Sequence, residues 1–451
     1  MRKKLLVLMI CILAATLRWY NYLGRTVYGW DQLRDLKVLE TTRVDRTLPL
    51  LGPIVRGDIG GFYLGPWYHY LLLPGYLVSG GNPHTLVWTS LTLDIIVVAI
   101  LGLAVNIQSA LIWACSPMLI NSALTPWNVS LMHLWMLSLI LLARSLQRAP
   151  SWPRLALYYG LLSLATSVHL TLWPVAGLAA ILGIGWVWEV VKTRPLRLLP
   201  IIALALLPLI PLVLSDLMTH GANLRAFKMF LLITRNTPHA AWSAFLPIFW
   251  QKLGATVSRV FIAEPYMWLG LSLLGMILIW FGREAHRSRD ARFLLLISVT
   301  VLGSILVYRD PDFAEYYLNG LLIPLIIAGG TMIASSIRSG SYLLLALMLA
   351  LALPKLDVKD NPYSLAVRAK LMRQVSQVVG QDAGLILELP EYQQFGFAYY
   401  LHKAGVRVTD ASHYRIVVAP AATEHISAPS VAPSIIDQTS LAAFRVVVFS
   451  N

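Results

Sequence analysis

Two aspartates four residues apart, Asp31 and Asp35, with Arg34 beside them, form the first group in this chain whose types and spacing suggest chemistry. Positions i and i+4 share a face of a helix, so both carboxylates would stand next to one guanidinium. A carboxylate held near a membrane surface and oriented by a cation can take the proton of an acceptor hydroxyl as a general base. The same spacing also describes a charged amphipathic helix resting on lipid head groups, and spacing alone does not separate the two. Farther along, in Leu51-Gly52-Pro53-Ile54-Val55-Arg56-Gly57-Asp58, Arg56 is either a phosphate contact or a loop arginine facing water or head groups. Asp94 is of another kind, because it falls near the middle of an apolar run, within Thr92-Leu93-Asp94-Ile95. An ionisable group at that depth is costly in lipid and is a functional candidate for that reason. We read it as structural, either protonated or bonded to Asn121 or Ser122 on the next helix.

The elements that must position these residues are membrane helices. Of the 451 residues, 57% are hydrophobic and 13% are charged, where a soluble domain carries about a quarter charged. Apolar runs of about twenty residues recur from end to end, each long enough to cross a hydrocarbon core of about 30 Å. Helices satisfy their own backbone polar groups in lipid, and the alternating pattern of barrel strands is absent. The formal charge of +14 lies largely in short segments between spans. Topology and anionic head groups account for it, and no basic, aromatic-interleaved module for nucleic acid is present. Cys11 and Cys115 both fall in apolar runs and imply no disulfide framework. The start, Met1-Arg2-Lys3-Lys4 and then an apolar run into Arg18-Trp19-Tyr20, reads as an uncleaved first helix.

Letting basic clusters face the cytoplasm orients about eleven spans. The first covers about 4–20; the rest fall near 84–105, 109–125, 128–146, 155–171, 173–191, 198–215, 266–282, 293–308, 315–335 and 340–356. The clusters Arg144/Arg148/Arg154, Lys192/Arg194/Arg197, Arg283/Arg287/Arg289/Arg292 and Arg338 then lie inside. Residues 66–80 are apolar but short and interrupted by Pro and Gly, which fits a helix at the interface. Two long outer segments result, 21–83 and 216–265, with a cytoplasmic N-terminus. Composition shifts near Lys355-Leu356-Asp357. The expected domains are therefore 1–356 in the membrane and 357–451 as a small extracytoplasmic α/β domain. Its expected helices are Ser364–Val379 and Gly396–Ala404, and its strands Leu385–Leu389, Tyr414–Val418 and Phe444–Val448.

An ordered set of motifs completes the reading. Arg18-Trp19-Tyr20 closes the first helix, and Gly29-Trp30-Asp31-Gln32 follows about a dozen residues later. Then come Gly65-Pro66-Trp67-Tyr68-His69-Tyr70, Pro126-Trp127-Asn128, and Glu315-Tyr316-Tyr317 before a span containing Pro324. In this order and on one side of the membrane, they resemble the GT-C glycosyltransferases of the protein O-mannosyltransferase and lipid A aminoarabinose transferase type, over about residues 5–350. The resemblance implies an all-α polytopic enzyme. It implies transfer of a sugar, with inversion, from a polyprenyl-phosphate carrier to a lipid, glycan or protein acceptor on the outer face. The acid of the first-loop motif is the general base in such enzymes, which maps onto Asp31. Relatives commonly have Asp-Glu here. The second position in this chain is Gln32, which weakens any role needing an adjacent second acid, with Asp35 as the substitute.

Charge on the leaving phosphate calls for cations on the outer side, for which Arg225, Lys228, Arg235 and Arg259 are the candidates. The same four residues also read as the polar face of an interfacial segment. His169 resembles a site-bordering histidine of some relatives, and reads equally as a hydrogen-bonded structural residue. Glu315 and Tyr316 either reach the cavity or form a solvated turn. No cofactor is implied, and a divalent metal is not favoured. The competing class is a multi-spanning transporter or lipid flippase, which should concentrate polar groups at the midplane, often in broken helices.

Overall fold

The computed structural model describes residues 2–450 apart from 56–60, 193, 237–240, 263, 310–312, 337–345, 347–349, 351–352, 357, 380, 391–392, 395, 410–413 and 424–433, and leaves the side chains of 233–236, 336 and 434 aside. Arg56, Arg338 and most of the span expected at 340–356 lie outside the described residues. The chain divides into two compact units, Met1–Arg18 with Val38–Leu356, and Trp19–Lys37 with Asp357–Asn451. The expected C-terminal domain thus includes a stretch of the first loop in its unit.

In chain order, α1 is Arg2–Trp19, α2 Tyr22–Arg25 and α3 Trp30–Asp45. A two-stranded antiparallel ribbon, β1 (Ile54–Val55) with β2 (Phe62–Tyr63), precedes α4 (Trp67–Val78). Next come α5 (Thr85–Ile100), α6 (Ile107–Cys115), α7 (Pro117–Ala123), α8 (Leu131–Arg148), α9 (Trp152–Val168) and α10 (Trp173–Val191). The series continues with α11 (Leu198–Leu206), α12 (Ile210–Met218), α13 (Ala222–Asn236) and α14 (Trp242–Ile262). Among the described residues, the first unit's remaining long helices are α15 (Met267–Ala285), α16 (Arg289–Tyr308) and α17 (Asn319–Ser336).

Seven helical stretches among the described residues are long and apolar enough to cross a membrane: Thr85–Val105, Asn128–Arg148, Leu170–Val191, Pro195–Met218, Met267–Ala285, Arg289–Tyr308 and Glu315–Ser335. All seven coincide with expected spans. The others differ for local reasons. Helix α1 carries Arg2, Lys3, Lys4 and Arg18, and α9 has 17 residues. The stretch 109–125 is broken between α6 and α7, because Ser116 precedes Pro117 and the ring of Pro117 pushes it to an extended conformation (φ −67°, ψ 117°). Helix α4, with 12 residues and Pro74 inside, is about 18 Å long and falls short of the hydrocarbon thickness. The segment 216–265, expected as a long loop, is mostly helical in α13 and α14.

Close helix packing in this unit relies on small residues. A Cβ at Gly270 of α15 would lie 1.8 Å from the Gly254 carbonyl oxygen of α14, so the two backbones meet where neither residue has a side chain. Helix starts are marked by their sequence: Asn106 accepts the Ser109 N–H at 2.7 Å to open α6, and Ser288 accepts that of Ala291 at 3.4 Å to open α16.

In the second unit, α18 (Leu365–Val379) precedes β3 (Asp382–Leu387), α19 (Phe397–Lys403), β4 (Arg407–Val408), β5 (Tyr414–Pro420), β6 (Ser434–Leu441) and β7 (Phe444–Ser450). The strands form one sheet in the order β4-β3-β5-β7-β6, with β3 parallel to β4 and β5 and with β7 antiparallel to β5 and β6. Val417, Val447 and Phe449 are buried on the sheet with Ile386 against them, and α18 buries Leu365, Leu371, Met372 and Val375. Both expected helices and all three expected strands are present; β4 and β6 are additions. Arg368 of α18 is fully buried with its guanidinium over Phe397 and Phe444, and desolvation lowers its pKa to about 10.

Candidate functional site

Helix α3 begins one residue before Asp31, and its start is built by the residues around it. The Gly29 carbonyl accepts the Leu33 N–H at 3.0 Å, while the Gly29 N–H donates to Gln32 Oε1 at 2.8 Å. Gln32 thereby closes the reciprocal half of a capping box. The residue that departs from the Asp-Glu pattern thus has a helix-capping task. Asp31 sits in the first turn, where the positive end of the helix dipole favours a carboxylate.

Arg34 joins the two acids. Its Nη1 donates to Asp31 Oδ1 at 2.6 Å, and its Nε donates to Asp35 Oδ1 at 2.8 Å. Asp35 is fully buried, whereas the Asp31 side chain is 39% exposed. The buried acid anchors the guanidinium, and the guanidinium holds the accessible acid. One carboxylate is available to an outside molecule and the other is committed to the support, a division that the i, i+4 spacing did not reveal.

In the first unit, a second polar group gathers from three turns. His169 Nδ1 pairs with Thr171 Oγ1 at 2.9 Å and accepts the Thr171 N–H at 3.3 Å. Its ring lies 5.6 Å from Tyr316 at 89° and 5.8 Å from Tyr317. Trp127 meets Tyr316 edge-on at 4.9 Å. Beside Tyr316, Glu315 pairs with Arg259 of α14. Lys252, two turns earlier on α14, donates to the Phe313 carbonyl and stands 4.6 Å from the centre of that residue's ring. His169, Glu315, Tyr316 and Arg259 are therefore brought together as half-buried neighbours with one cation and one anion among aromatic edges.

The other expected cations are placed differently. Asn223 ties α13 to the ribbon, donating to the Tyr63 carbonyl at 3.0 Å and accepting the Tyr63 N–H at 2.6 Å. Phe227 and Phe230 pack on Phe62 at 5.0 and 5.2 Å. Arg225 and Lys228 are left exposed on α13, with Arg225 Nη1 donating to the His220 carbonyl. Arg235 lies in α13 with its side chain outside the described set, and Arg56 lies outside it altogether.

Asp94 is bonded to neither Asn121 nor Ser122. Its Oδ2 accepts Arg18 Nε at 2.5 Å and its Oδ1 accepts Trp113 Nε1 at 2.9 Å. Arg18 also donates to the carbonyls of Ala114 at 2.8 Å and Trp113 at 3.1 Å. Trp113 carried no signal of this role in the sequence beyond lying on the helix after Asp94. An apolar cavity of about 980 Å³ lies between α14 and α15, lined by Pro247, Trp250, Met267, Trp268, Leu271 and Leu278. Among the described residues, no three His, Cys, Asp or Glu side chains gather in a way that could hold a metal.

No known family model and no curated protein matches the sequence. Solved structures do match. The crystal structure of ArnT from Cupriavidus metallidurans bound to undecaprenyl phosphate aligns with a TM-score of 0.61 and 11% identity, over 98% of this chain and 97% of that one. The apo structure of the same protein aligns with a TM-score of 0.60 over the same shares. ArnT is a lipid A aminoarabinose transferase, a glycosyltransferase of the GT-C type. Over nearly its whole length, this multi-pass membrane chain has the ArnT fold.

Proposed function

We propose that this protein is a membrane glycosyltransferase that takes a sugar from a polyprenyl-phosphate carrier and transfers it, with inversion, to an acceptor on the outer face of the membrane. The observation that carries this reading is the pairing of an accessible and a buried carboxylate through Arg34, at a helix start, within a fold shared with a protein solved with undecaprenyl phosphate. Asp31 is the general base. The acceptor oxygen attacks the anomeric carbon opposite the phosphate and its proton passes to the Asp31 carboxylate. The bond from that carbon to the phosphate oxygen breaks, and the polyprenyl phosphate leaves with the electron pair. Arg34 and Asp35 hold the base in place.

The cations Arg225, Lys228, Arg235 and Arg56 are candidates for the phosphate, and His169, Glu315, Tyr316 and Arg259 for the sugar side of the donor. The apolar cavity between α14 and α15 has the chemistry to receive isoprenoid chain. In this reading the N-terminus is cytoplasmic and the C-terminal domain extracytoplasmic. The transporter alternative loses its best residue, because Asp94 is committed to Arg18 and Trp113.

Asp31→Asn should abolish sugar transfer from a polyprenyl-phosphate donor in proteoliposomes while the protein stays folded and monodisperse. Full activity in that variant overturns the assignment of the base. Substrate-dependent uptake into sealed vesicles without any lipid donor would support the transporter instead.

A further inference from the structure

The second unit joins two pieces of chain more than three hundred residues apart, and four hydrogen bonds between them fall on residues just ahead of α3. Asn21 has a left-handed backbone (φ 46°, ψ 36°), which asparagine tolerates better than most residues. Its Nδ2 donates to Asp360 Oδ1 at 2.8 Å and to the Val358 carbonyl at 3.1 Å. The Asn361 N–H donates to the Gly24 carbonyl at 2.7 Å, and the Leu365 N–H donates to that of Thr26 at 3.1 Å. Leu365 opens α18, so the first loop supplies an acceptor to one of the N–H groups that a helix start leaves without an intrahelical partner.

Gly24 shows how closely the pieces meet. A Cβ there would lie 2.0 Å from Asp360 Oδ1 and 2.5 Å from Asn21 Oδ1. This contact tolerates no side chain at 24 while Asp360 is in place. From Thr26 the chain reaches Gly29, the cap of α3, in three residues and Asp31 in five. A residue that must deliver its carboxylate to a reacting hydroxyl within a few tenths of an ångström needs a fixed helix start.

We propose that the C-terminal domain is a clamp on the first loop, in which Asn21, Asp360 and Asn361 are positioning residues that fix the start of α3 and hence the Asp31 carboxylate. This assigns the domain a part in catalysis without contact with the reacting atoms. It rests on the assignment of Asp31 as the base, and its physical core, the ordering of residues 19–37 by residues 358–365, can be measured without any chemistry.

The experiment uses the full-length protein in detergent and in proteoliposomes, with Gly24→Ala, Asp360→Gly and the double variant. Gly24→Ala should raise amide exchange across 22–33 by at least about tenfold while the membrane helices keep their protection. It should lower kcat per folded enzyme by about 10- to 100-fold with little change in donor KM, since misplacement of a reacting group acts on the transition state. Both substitutions break the same contact, so the double variant should exchange, and lose kcat, within about threefold of the more affected single variant rather than by the product of the two effects. Unchanged exchange in Gly24→Ala, or effects of the two substitutions that multiply in the double variant, overturns the clamp. A rise in exchange that leaves kcat intact overturns the positioning role. If Gly24→Ala does not fold, Asn21→Ala and Asp360→Ala, which delete bonds without adding bulk, are read by the same two criteria. If the wild-type protein transfers no sugar, the transferase reading fails, and amide exchange in the single and double variants decides the clamp alone.

Discussion

Arg18 and Asp94, 76 residues apart in the chain, meet in a buried ion pair with the guanidinium fully enclosed. Four of the five bonds in this group fall on Arg18: one to the carboxylate, and others to the carbonyls of Ala14, Trp113 and Ala114. Trp113 supplies the fifth, its indole N–H donating to the second carboxylate oxygen. A charge at this depth persists because its partner and its hydrogen bonds are all present. The network ties α1 to α5 and α6 immediately before the chain enters the loop that carries Asp31.

Breaking the pair should cost far more than exchanging it. Asp94→Ala leaves a buried guanidinium without its counter-charge, and should destabilise the protein by about 3–5 kcal/mol. Arg18→Met combined with Asp94→Leu removes both charges and should recover most of that loss. Thermal unfolding in detergent, read by intrinsic fluorescence, checks the order. A double variant less stable than Asp94→Ala would mean that the pair itself, rather than the avoidance of an orphaned charge, holds these helices.

Arg34 reaches two carboxylates by using its planar fork, which a lysine cannot reproduce. Arg34→Lys keeps the charge and should still lower kcat by roughly tenfold or more, with donor KM less affected, because the accessible acid loses its fixed direction. Asp35→Asn should act in the same sense by loosening the guanidinium from its buried end. Steady-state kinetics on both variants, alongside melting curves, separates this from a loss of folded protein.

Much of the architecture was legible in the sequence because lipid imposes few solutions. Apolar runs of about twenty residues become helices, and the seven clearest of them did so at the expected places. The tail's strands were visible as β-branched runs such as Val446-Val447-Val448. What escaped was tertiary. Strand β6, Ser434–Leu441, reads as polar because it lies at the edge of the sheet and half of its pattern is Asp437, Gln438, Thr439 and Ser440. Helix α14 escaped because Gln251, Lys252 and Arg259 interrupt its apolar face, although it buries Phe245, Phe249, Leu253 and Val257. At the site, the helical spacing of Asp31, Arg34 and Asp35 was readable, but not which acid would be buried. The partner of Asp94 was unreadable, since pairing between residues far apart in sequence leaves no local trace. The clamp is of the same kind: Asn21 and Asp360 look like ordinary loop residues until the fold joins them.

Glu40, nine residues after Asp31 on α3, gives the structure a pH-sensitive contact. Arg43 bonds its carboxylate through Nε at 2.8 Å and Nη2 at 2.5 Å, and the Tyr76 hydroxyl of α4 donates to it at 2.9 Å. The hydrogen bond from Arg43, more than that from Tyr76, holds the Glu40 pKa below the ordinary value of 4.5, against a smaller opposing effect of burial. The folded state thus prefers the ionised form. The stabilisation is fully present above pH 4.5 and is lost as pH falls through the lower folded pKa. The pair is partly exposed, so salt and water weaken it and the effect should be local rather than global. Amide exchange across α3 and α4 should rise as the pH is lowered from about 6 to about 3.5, after correction for the intrinsic exchange rate. Glu40→Gln, which cannot ionise, should show faster exchange at pH 6 and little further change on acidification. A Glu40→Gln variant with the wild-type pH profile would show that another group governs this contact.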